Sequence, residues 1–302
     1  MHDHNKSTDS RLPQLASYAS LSVALLLIVL KFWAWAETNS VSILSSLADS
    51  FLDVLASAIT VVAVWASSKP ADREHRFGHG KSEGLAALLQ SIAISLSAVY
   101  VCYEAIQRFI TPQPIVSPET GIAVMAIAIV LTIGLQFFQH HVIKRTGSMA
   151  IAADAVHYRS DLLINFGVTA TILISIWSDS LIVDPIVGIC IAGCILYSTY
   201  GIGRKALDVL LDRELPDAER RRIKELAVAH PDVHGFHDLR TRFGGSRYFI
   251  QFHLELSPNK TLLQTHEILD EVESNVRAAF PLADIIVHPD PLGLEERRDE
   301  FD

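Results

Sequence analysis

The sequence has little cysteine, and what it has is confined to one part of the chain. Three cysteines occur among the 302 residues, at positions 102, 190 and 194, and no CxxC pair is present. Because none lies after residue 194, we expect no disulfide framework in the C-terminal part, which is compatible with a reducing cytoplasm. The N-terminus lacks a basic stretch leading into a short apolar segment, so we expect no cleaved signal peptide.

Excess positive charge is also missing. The formal net charge is −9, which gives no bulk electrostatic reason for binding a nucleic acid. We therefore expect no nucleic-acid partner. An organic cofactor is not expected either.

Long apolar runs, in contrast, are plentiful. Half of the residues are hydrophobic and the mean hydropathy is +0.29. A helix needs about 20 mostly apolar residues to cross a bilayer, and six windows before residue 203 satisfy this: 14–36, 42–66, 84–107, 120–141, 150–177 and 181–203. The charge-free part of the fifth, from Leu162 to Trp177, is too short alone. It crosses only if the helix extends back to Ala150, which brings ionisable groups into the membrane region.

The pattern predicts a multi-pass α-helical membrane protein with six transmembrane helices and a smaller soluble domain. The expected parts are a cytoplasmic tail at 1–13, a transmembrane domain at 14–207, a cytoplasmic domain at 208–290 and a flexible tail at 291–302. Lysine and arginine gather on one side of the spans, which places both termini in the cytoplasm. These residues are Lys6, Arg11, Lys69, Arg73, Arg76, Lys81, Lys144, Arg145, Arg204 and Lys205.

The C-terminal part reads as a small α+β domain of order α-β-β-α-β. A helix is expected at 217–229, strands at 233–243 and 247–256, a second helix opened by a capping box at Thr261 and Gln264, and a third strand at 283–289. A three-residue hairpin loop at 244–246 would pair His237 with His253 on one sheet face, whereas a two-residue loop would put them on opposite faces.

Two pairs of ionisable residues lie inside the predicted spans. Asp49 and Asp53 are four apart in LADSFLDVLASAI, and His157 and Asp161 are four apart in HYRSD. Residues at this spacing share a helix face, and spans two and five run in opposite directions, so the two faces can oppose each other. Three carboxylates and one imidazole suit zinc or another first-row divalent ion. Ionisable groups inside spans are rare and usually functional. Asp154 and Arg159, which lie near His157 in the sequence, are expected to be pairing or interface residues.

The pairs DSFLD and HYRSD, together with PADREHRFGHGKSE, HDLRTR, IQFHLEL and IIVHPDP, resemble the cation diffusion facilitator family over nearly the whole chain. The resemblance implies a homodimer in the bacterial inner membrane that exports divalent metal in exchange for protons. It assigns the transport site to Asp49, Asp53, His157 and Asp161. In this family the spacing His-x-x-x-Asp on span five, here His157 and Asp161, is associated with zinc and cadmium. Iron or manganese is also transported by related members.

The same resemblance implies two further metal sites, at which zinc also acts as a regulatory ion. It implies one charged pair as well. From the residues alone, the loop between spans two and three reads better as a solvated basic loop. The implied loop site is Asp72, His75 and His79. The implied site of the cytoplasmic domain is His237, His253, His288 and Asp290, with His266 contributing to a second metal near the dimer contact. The implied pair at the junction of the two domains is Lys81 and Asp212.

Proton coupling follows from the donor types. Metal ligands must be deprotonated, so protons and metal compete for the site, and we expect His157 and Asp53 to carry the protons. A membrane metalloenzyme is a competing hypothesis, but no HExxH motif is present and four ligands leave no open position for catalytic water. A membrane-anchored metal sensor is another, although an anchor needs no intramembrane ligands.

Overall fold

The chain forms two compact units. The computed structural model describes residues 3–38, 41–110, 119–178 and 183–293. The first unit contains the chain up to Pro70 together with Ser82–Leu207, and the second contains Ala71–Lys81 together with the chain from Asp208. The loop that carries Asp72, His75 and His79 therefore belongs to the second unit.

Six long helices make up the first unit, as the sequence predicts. They are α1 (Asp3–Thr38), α2 (Val41–Ser67), α3 (Lys81–Ile110), α4 (Glu119–Thr146), α5 (Met149–Ser178) and α6 (Val183–Leu210). The first begins at Asp3, so the segment expected to be a tail is helical from that residue onward. Residues 294–302, most of the expected C-terminal tail, lie outside the described residues.

Five of these helices are long and apolar enough to cross a membrane, with a mean hydropathy between 1.6 and 2.0. The side chains of α5 are described only as far as Gly167. That part carries Asp154, Arg159 and Asp161, so α5 is not among the five.

Small side chains let the helices of this unit approach closely. Ala16 of α1, Val64 of α2, Val142 of α4 and Ala150 of α5 are buried in one cluster. Large apolar side chains such as Trp33 of α1 remain exposed on the outside. Lipid tails are as apolar as leucine, so membrane helices associate through close packing of small residues and leave large ones for the lipid.

Glu83, near the start of α3, fixes the start of α5. Its Oε2 accepts hydrogen bonds from Ser148 Oγ at 2.6 Å and from the backbone N–H of Met149 at 3.0 Å, and its Oε1 accepts from Ser67 Oγ of α2 at 2.9 Å. The carboxylate satisfies N–H groups that have no partner within α5 and favours the positive end of its dipole. It thereby links the helix that carries His157 to the helix that carries Asp53.

The second unit confirms the α-β-β-α-β order. Its elements are α7 (Asp217–Val228), β1 (Gly235–Phe243), β2 (Tyr248–Leu256), α8 (Leu262–Ala279) and β3 (Ala283–Pro291). The sheet has the order β1-β2-β3, with β1 and β2 antiparallel and β2 and β3 parallel. Ile223 of α7 and Val272 of α8 pack on Ile250 and Phe252 of β2. The predicted capping box at Thr261 and Gln264 is present.

His237 pairs with His253 as expected, but a bulge in β1 and not the hairpin loop sets this register. Phe243 pairs with Tyr248, so the predicted three-residue loop at 244–246 is wrong, and the turn includes Arg247. Continued without interruption, this register would place His237 opposite Leu254. A bulge between His237 and Arg240 shifts it, and His237 pairs with His253. Asp238, in the bulge, has a φ of +48°.

Candidate metal sites

Helices α2 and α5 bring three of the four predicted intramembrane ligands together. Nε2 of His157 lies 3.0 Å from Oδ1 of Asp53 and 3.7 Å from Oδ2 of Asp161. One ligand atom from each of these residues lies within 4.8 Å of the others. The contact between His157 and Asp53 crosses from one helix to the other, while Asp161 is one helical turn after His157 on the same face.

The separations of these atoms fit a metal of the size of zinc. Zinc binds nitrogen and carboxylate oxygen at about 2.0–2.2 Å in a tetrahedron, so two ligand atoms on one ion are about 3.3 Å apart. The distances of 3.0 Å and 3.7 Å lie on either side of that value. Asp49 lines the same cavity, which has a volume of about 520 Å³, but is outside the close group of three. A fourth bond from Asp49 requires its side chain to move toward the group.

The loop residues Asp72, His75 and His79 also converge. Nδ1 of His75 and Nε2 of His79 each lie 3.4 Å from a carboxylate oxygen of Asp72. The backbone N–H groups of His75 and Glu74 donate to that carboxylate, and the first of these is the main reason that the pKa of Asp72 is below its usual range. The backbone here is an irregular loop with Gly78 at a φ of +83°. The aspartate is thus held ionised beside two imidazoles.

A charged and aromatic cluster follows the loop site. Nζ of Lys81 lies 2.9 Å from Oδ1 of Asp212, and Oδ2 of Asp212 lies 3.2 Å from Arg242. The Arg242 guanidinium stacks over the rings of Phe77 and Phe249, at 4.7 Å and 4.8 Å from their centres. Partial burial by itself raises the pKa of Asp212, but the hydrogen bonds from Lys81 and Arg242 outweigh it and lower that pKa overall.

The sheet of the second unit places three histidines in one row. His237 of β1 pairs with His253 of β2, which pairs with His288 of β3. The carboxylate of Asp290 contacts all three. Its Oδ2 is 3.2 Å from Nε2 of His237 and 2.8 Å from Nδ1 of His253, and its Oδ1 is 3.1 Å from Nε2 of His288. With a side chain only 5% exposed, Asp290 holds the three imidazoles together.

Both parts of the chain match known proteins. Residues 17–211 match the cation efflux transmembrane domain, and residues 215–292 match the cytoplasmic domain of cation efflux proteins. The chain is 45% identical to the cation-efflux pump FieF of Pectobacterium carotovorum, over 94% of both chains. It is 43% identical to FieF of Salmonella choleraesuis, over 96% of both.

The chain belongs to the cation efflux family. This family is that of the cation diffusion facilitators, so the resemblance found in the sequence is confirmed, and this cation efflux protein is a membrane transporter that exports metal cations. Its C-terminal part is also similar to the metal-bound C-terminal domain of the CzcD transporter from Thermotoga maritima. That similarity has 25% identity and a TM-score of 0.25, and it covers 26% of this chain and 93% of the other.

One charged residue of this cavity was not expected from the sequence. Lys31 of α1 lines the same cavity as Asp49, Asp53 and His157 of the cation efflux protein. Its Nζ donates a hydrogen bond to Ser50 Oγ at 2.6 Å. A lysine inside the window 14–36 is a visible signal, because ionisable groups within spans are uncommon, but the high average hydropathy of that window conceals it.

Asp238 was missed as well, and His266 is not brought into the sheet cluster. A carboxylate oxygen of Asp238 lies within 4.8 Å of ligand atoms of His237 and His253, because the bulge turns this residue out of the normal alternation. His266 lies on α8, 67% exposed and 3.7 Å from Asp270. Within one chain it is separate from the row of histidines.

Asp154 and Arg159 differ in their surroundings. Asp154 is fully buried and accepts hydrogen bonds from Gln139 Nε2 at 2.7 Å and Thr60 Oγ1 at 3.5 Å. Arg159 is exposed. Asp154 thus has polar partners of its own in the helix packing, outside the cavity lining.

Proposed function

We propose that this cation efflux protein exports divalent transition-metal ions in exchange for protons at Asp49, Asp53, His157 and Asp161. Zinc is the substrate that the ligand set fits best, and cadmium, ferrous iron and manganese are alternatives. The observation that supports the proposal most is the 3.0 Å contact between Nε2 of His157 and Oδ1 of Asp53, with Asp161 beside it. It brings donors from two helices to the spacing of zinc ligands.

The same contact supports competition between metal and proton. At 3.0 Å, a hydrogen bond joins Nε2 of His157 and Oδ1 of Asp53, and the nitrogen is the donor in the tautomer that carries its proton there. A metal ion needs the lone pair of that nitrogen, so binding it displaces the proton. His157 and Asp53 are therefore the groups that carry protons when the metal leaves.

The transport cycle alternates the access of this cavity. The protein crosses the inner membrane of a bacterial cell and has both termini in the cytoplasm. The metal ion enters the cavity from the cytoplasm and leaves on the opposite side of the membrane as protons bind. The loop cluster of Asp72, His75 and His79 and the row of histidines with Asp290 then bind cytoplasmic metal. In a homodimer built around the C-terminal domains, metal bound there, with His266 near the contact, favours one arrangement of the two protomers by population shift.

Zinc uptake into proteoliposomes with an internal fluorescent indicator tests the proposal. Wild-type flux rises when a pH gradient is imposed that drives protons against the metal, whereas Asp53→Asn and His157→Ala abolish it. His140→Ala, on the exposed side of α4, is the matched control and keeps wild-type flux. A zinc flux that does not change with the pH gradient rejects proton coupling. Near-normal flux in both Asp53→Asn and His157→Ala rejects the proposed transport site.

Metal sensing in addition to transport is the second candidate, and the buried Asp290 with its three imidazoles favours it. In that case zinc bound at the C-terminal cluster regulates the flux through the helices. An Asp290→Asn variant whose flux in the same liposomes depends on zinc concentration as in wild type would reject this second function.

A further inference from the structure

Lys31 is placed in the transport cavity rather than toward the lipid. It lies within the apolar segment Arg11–Glu37 of α1, and its side chain is half-buried. The ammonium donates to the hydroxyl of Ser50 at 2.6 Å, and Ser50 is fully buried on α2 directly after Asp49. A lysine near a helix end commonly extends to the membrane surface, whereas this one extends inward and lines the cavity with the carboxylates.

The charges of the proposed site do not balance without this lysine. Asp49, Asp53 and Asp161 carry three negative charges when ionised, and the neutral imidazole of His157 adds none. A divalent ion neutralises two of the three, so the loaded site keeps one negative charge. An uncompensated charge in a low-dielectric interior is costly, and one ammonium removes it.

We propose that Lys31 is a fixed counter-cation of the transport site, which neutralises the metal-loaded site and keeps its affinity for the ion low enough for release. The second effect follows from the first, because a positive charge that shares a cavity with a divalent cation repels it. This inference rests on the proposed transport site and adds a charged residue that sets its affinity.

A lysine that only supports the packing of α1 on α2 makes a different prediction. Its removal would lower the maximal rate through poor folding and leave the concentration dependence of transport unchanged or weaker. A counter-cation does the reverse: its removal makes the empty site more negative, so metal binds more tightly and leaves more slowly.

The test compares Lys31→Met with Lys31→Arg by zinc flux as a function of zinc concentration in proteoliposomes. We expect the KM of Lys31→Met to fall by about tenfold, since the lost repulsion acts on a doubly charged ion at short range, and its kcat to fall as well because release is slower. Lys31→Arg keeps the charge and stays near wild type in both constants. A KM of Lys31→Met that is equal to or higher than wild type overturns the inference.

Wild type and Asp53→Asn are measured in the same preparation. Absent wild-type flux, or normal flux in Asp53→Asn, means that the proposed transport site itself has failed. If both behave as expected and only Lys31→Met shows no tightening, the role of Lys31 alone is rejected. Gel filtration checks folding, and Lys31→Gln replaces Lys31→Met if that variant does not elute as wild type. If both uncharged variants fail to fold while Lys31→Arg folds, Lys31 has a structural role and the inference is overturned.

Discussion

Nε2 of His157 on α5 lies 3.0 Å from Oδ1 of Asp53 on α2. The two residues are distant in sequence, and Glu83 links the start of α5, which carries His157, to the end of α2, which carries Asp53. One nitrogen donor among carboxylates has consequences for which ions the site accepts.

Replacing His157 by Asp makes the donor set all-oxygen. Imidazole suits zinc, while carboxylates suit harder ions such as manganese, so we expect zinc flux to fall and the ratio of manganese to zinc flux to rise. Parallel uptake assays with the two ions in proteoliposomes measure this ratio. His140→Asp, at an exposed position of α4, is the control. An unchanged ratio would argue against His157 as a ligand.

Replacing Asp290 by Asn removes the carboxylate that contacts three histidines. We expect the full chain in detergent to bind less zinc at saturation, since an amide is a poor ligand for this ion, and zinc to raise its melting temperature less. Equilibrium dialysis and thermal unfolding with and without a chelator measure both. Asp284→Asn, exposed on the same strand, should match wild type. Equal zinc binding by the two variants would rule out a metal-binding role for Asp290.

Replacing Asp238 by Val acts on the β-bulge. Asp238 has a φ of +48°, which a β-branched residue adopts only with strain of about 1–3 kcal/mol. We expect Asp238→Val to lower the melting temperature and to weaken zinc binding, because losing the bulge moves His237 out of line with His253. Asp238→Gly permits the same backbone and should keep more of the stability. If the valine variant is as stable as the glycine variant, the bulge is not under this constraint.

Gly245 controls how the loop of Asp72, His75 and His79 lies on the hairpin within the second unit. It has a φ of +88°, and a Cβ atom there would collide with the backbone of Gly80, the residue after His79. We expect Gly245→Ala to displace the loop, reduce zinc binding by Asp72, His75 and His79, and destabilise the protein by at least about 1 kcal/mol.

Gly201→Ala on α6 is the control for this change, because a Cβ there meets no atom within 4 Å. Thermal unfolding and zinc binding of the two alanine variants decide the matter. Identical behaviour would show that the close approach of Gly245 and Gly80 is not needed.

Asp212 links stability to pH. Its pKa is lowered in the folded protein, so its ion pairs with Lys81 and Arg242 stabilise the fold above the unfolded value of about 3.9. That contribution is lost as the pH falls through the lower folded pKa. Asp212 is partly exposed and its pairs are screened by water, so we expect Asp212→Asn to cost less than about 1 kcal/mol at pH 7.

Melting temperatures between pH 7 and pH 3 measure this effect. The difference between wild type and Asp212→Asn should shrink toward the acid end. Asparagine tolerates the positive φ of +56° at this position, so the substitution tests charge rather than backbone strain. A difference that stays constant with pH would contradict the electrostatic origin.

Short-range patterns were sufficient for much of the fold. The six apolar windows predicted the six long helices, and within the described residues five of these are long and apolar enough to cross a membrane. The capping box at Thr261 and Gln264 and the α-β-β-α-β order of elements in the C-terminal domain were also predictable. Each of these depends on residues within a few turns of one another, where helix and strand periodicity fix the geometry.

The sequence by itself determined which residues share a helix face, such as His157 with Asp161, because the four-residue spacing is a property of the helix alone. Only the tertiary structure decided that Lys31 enters the same cavity, that a bulge at Asp238 rather than the turn pairs His237 with His253, and that Asp290 contacts three histidines at once. These relationships join residues that are far apart in the chain, and they depend on how helices and strands pack, which no local spacing specifies.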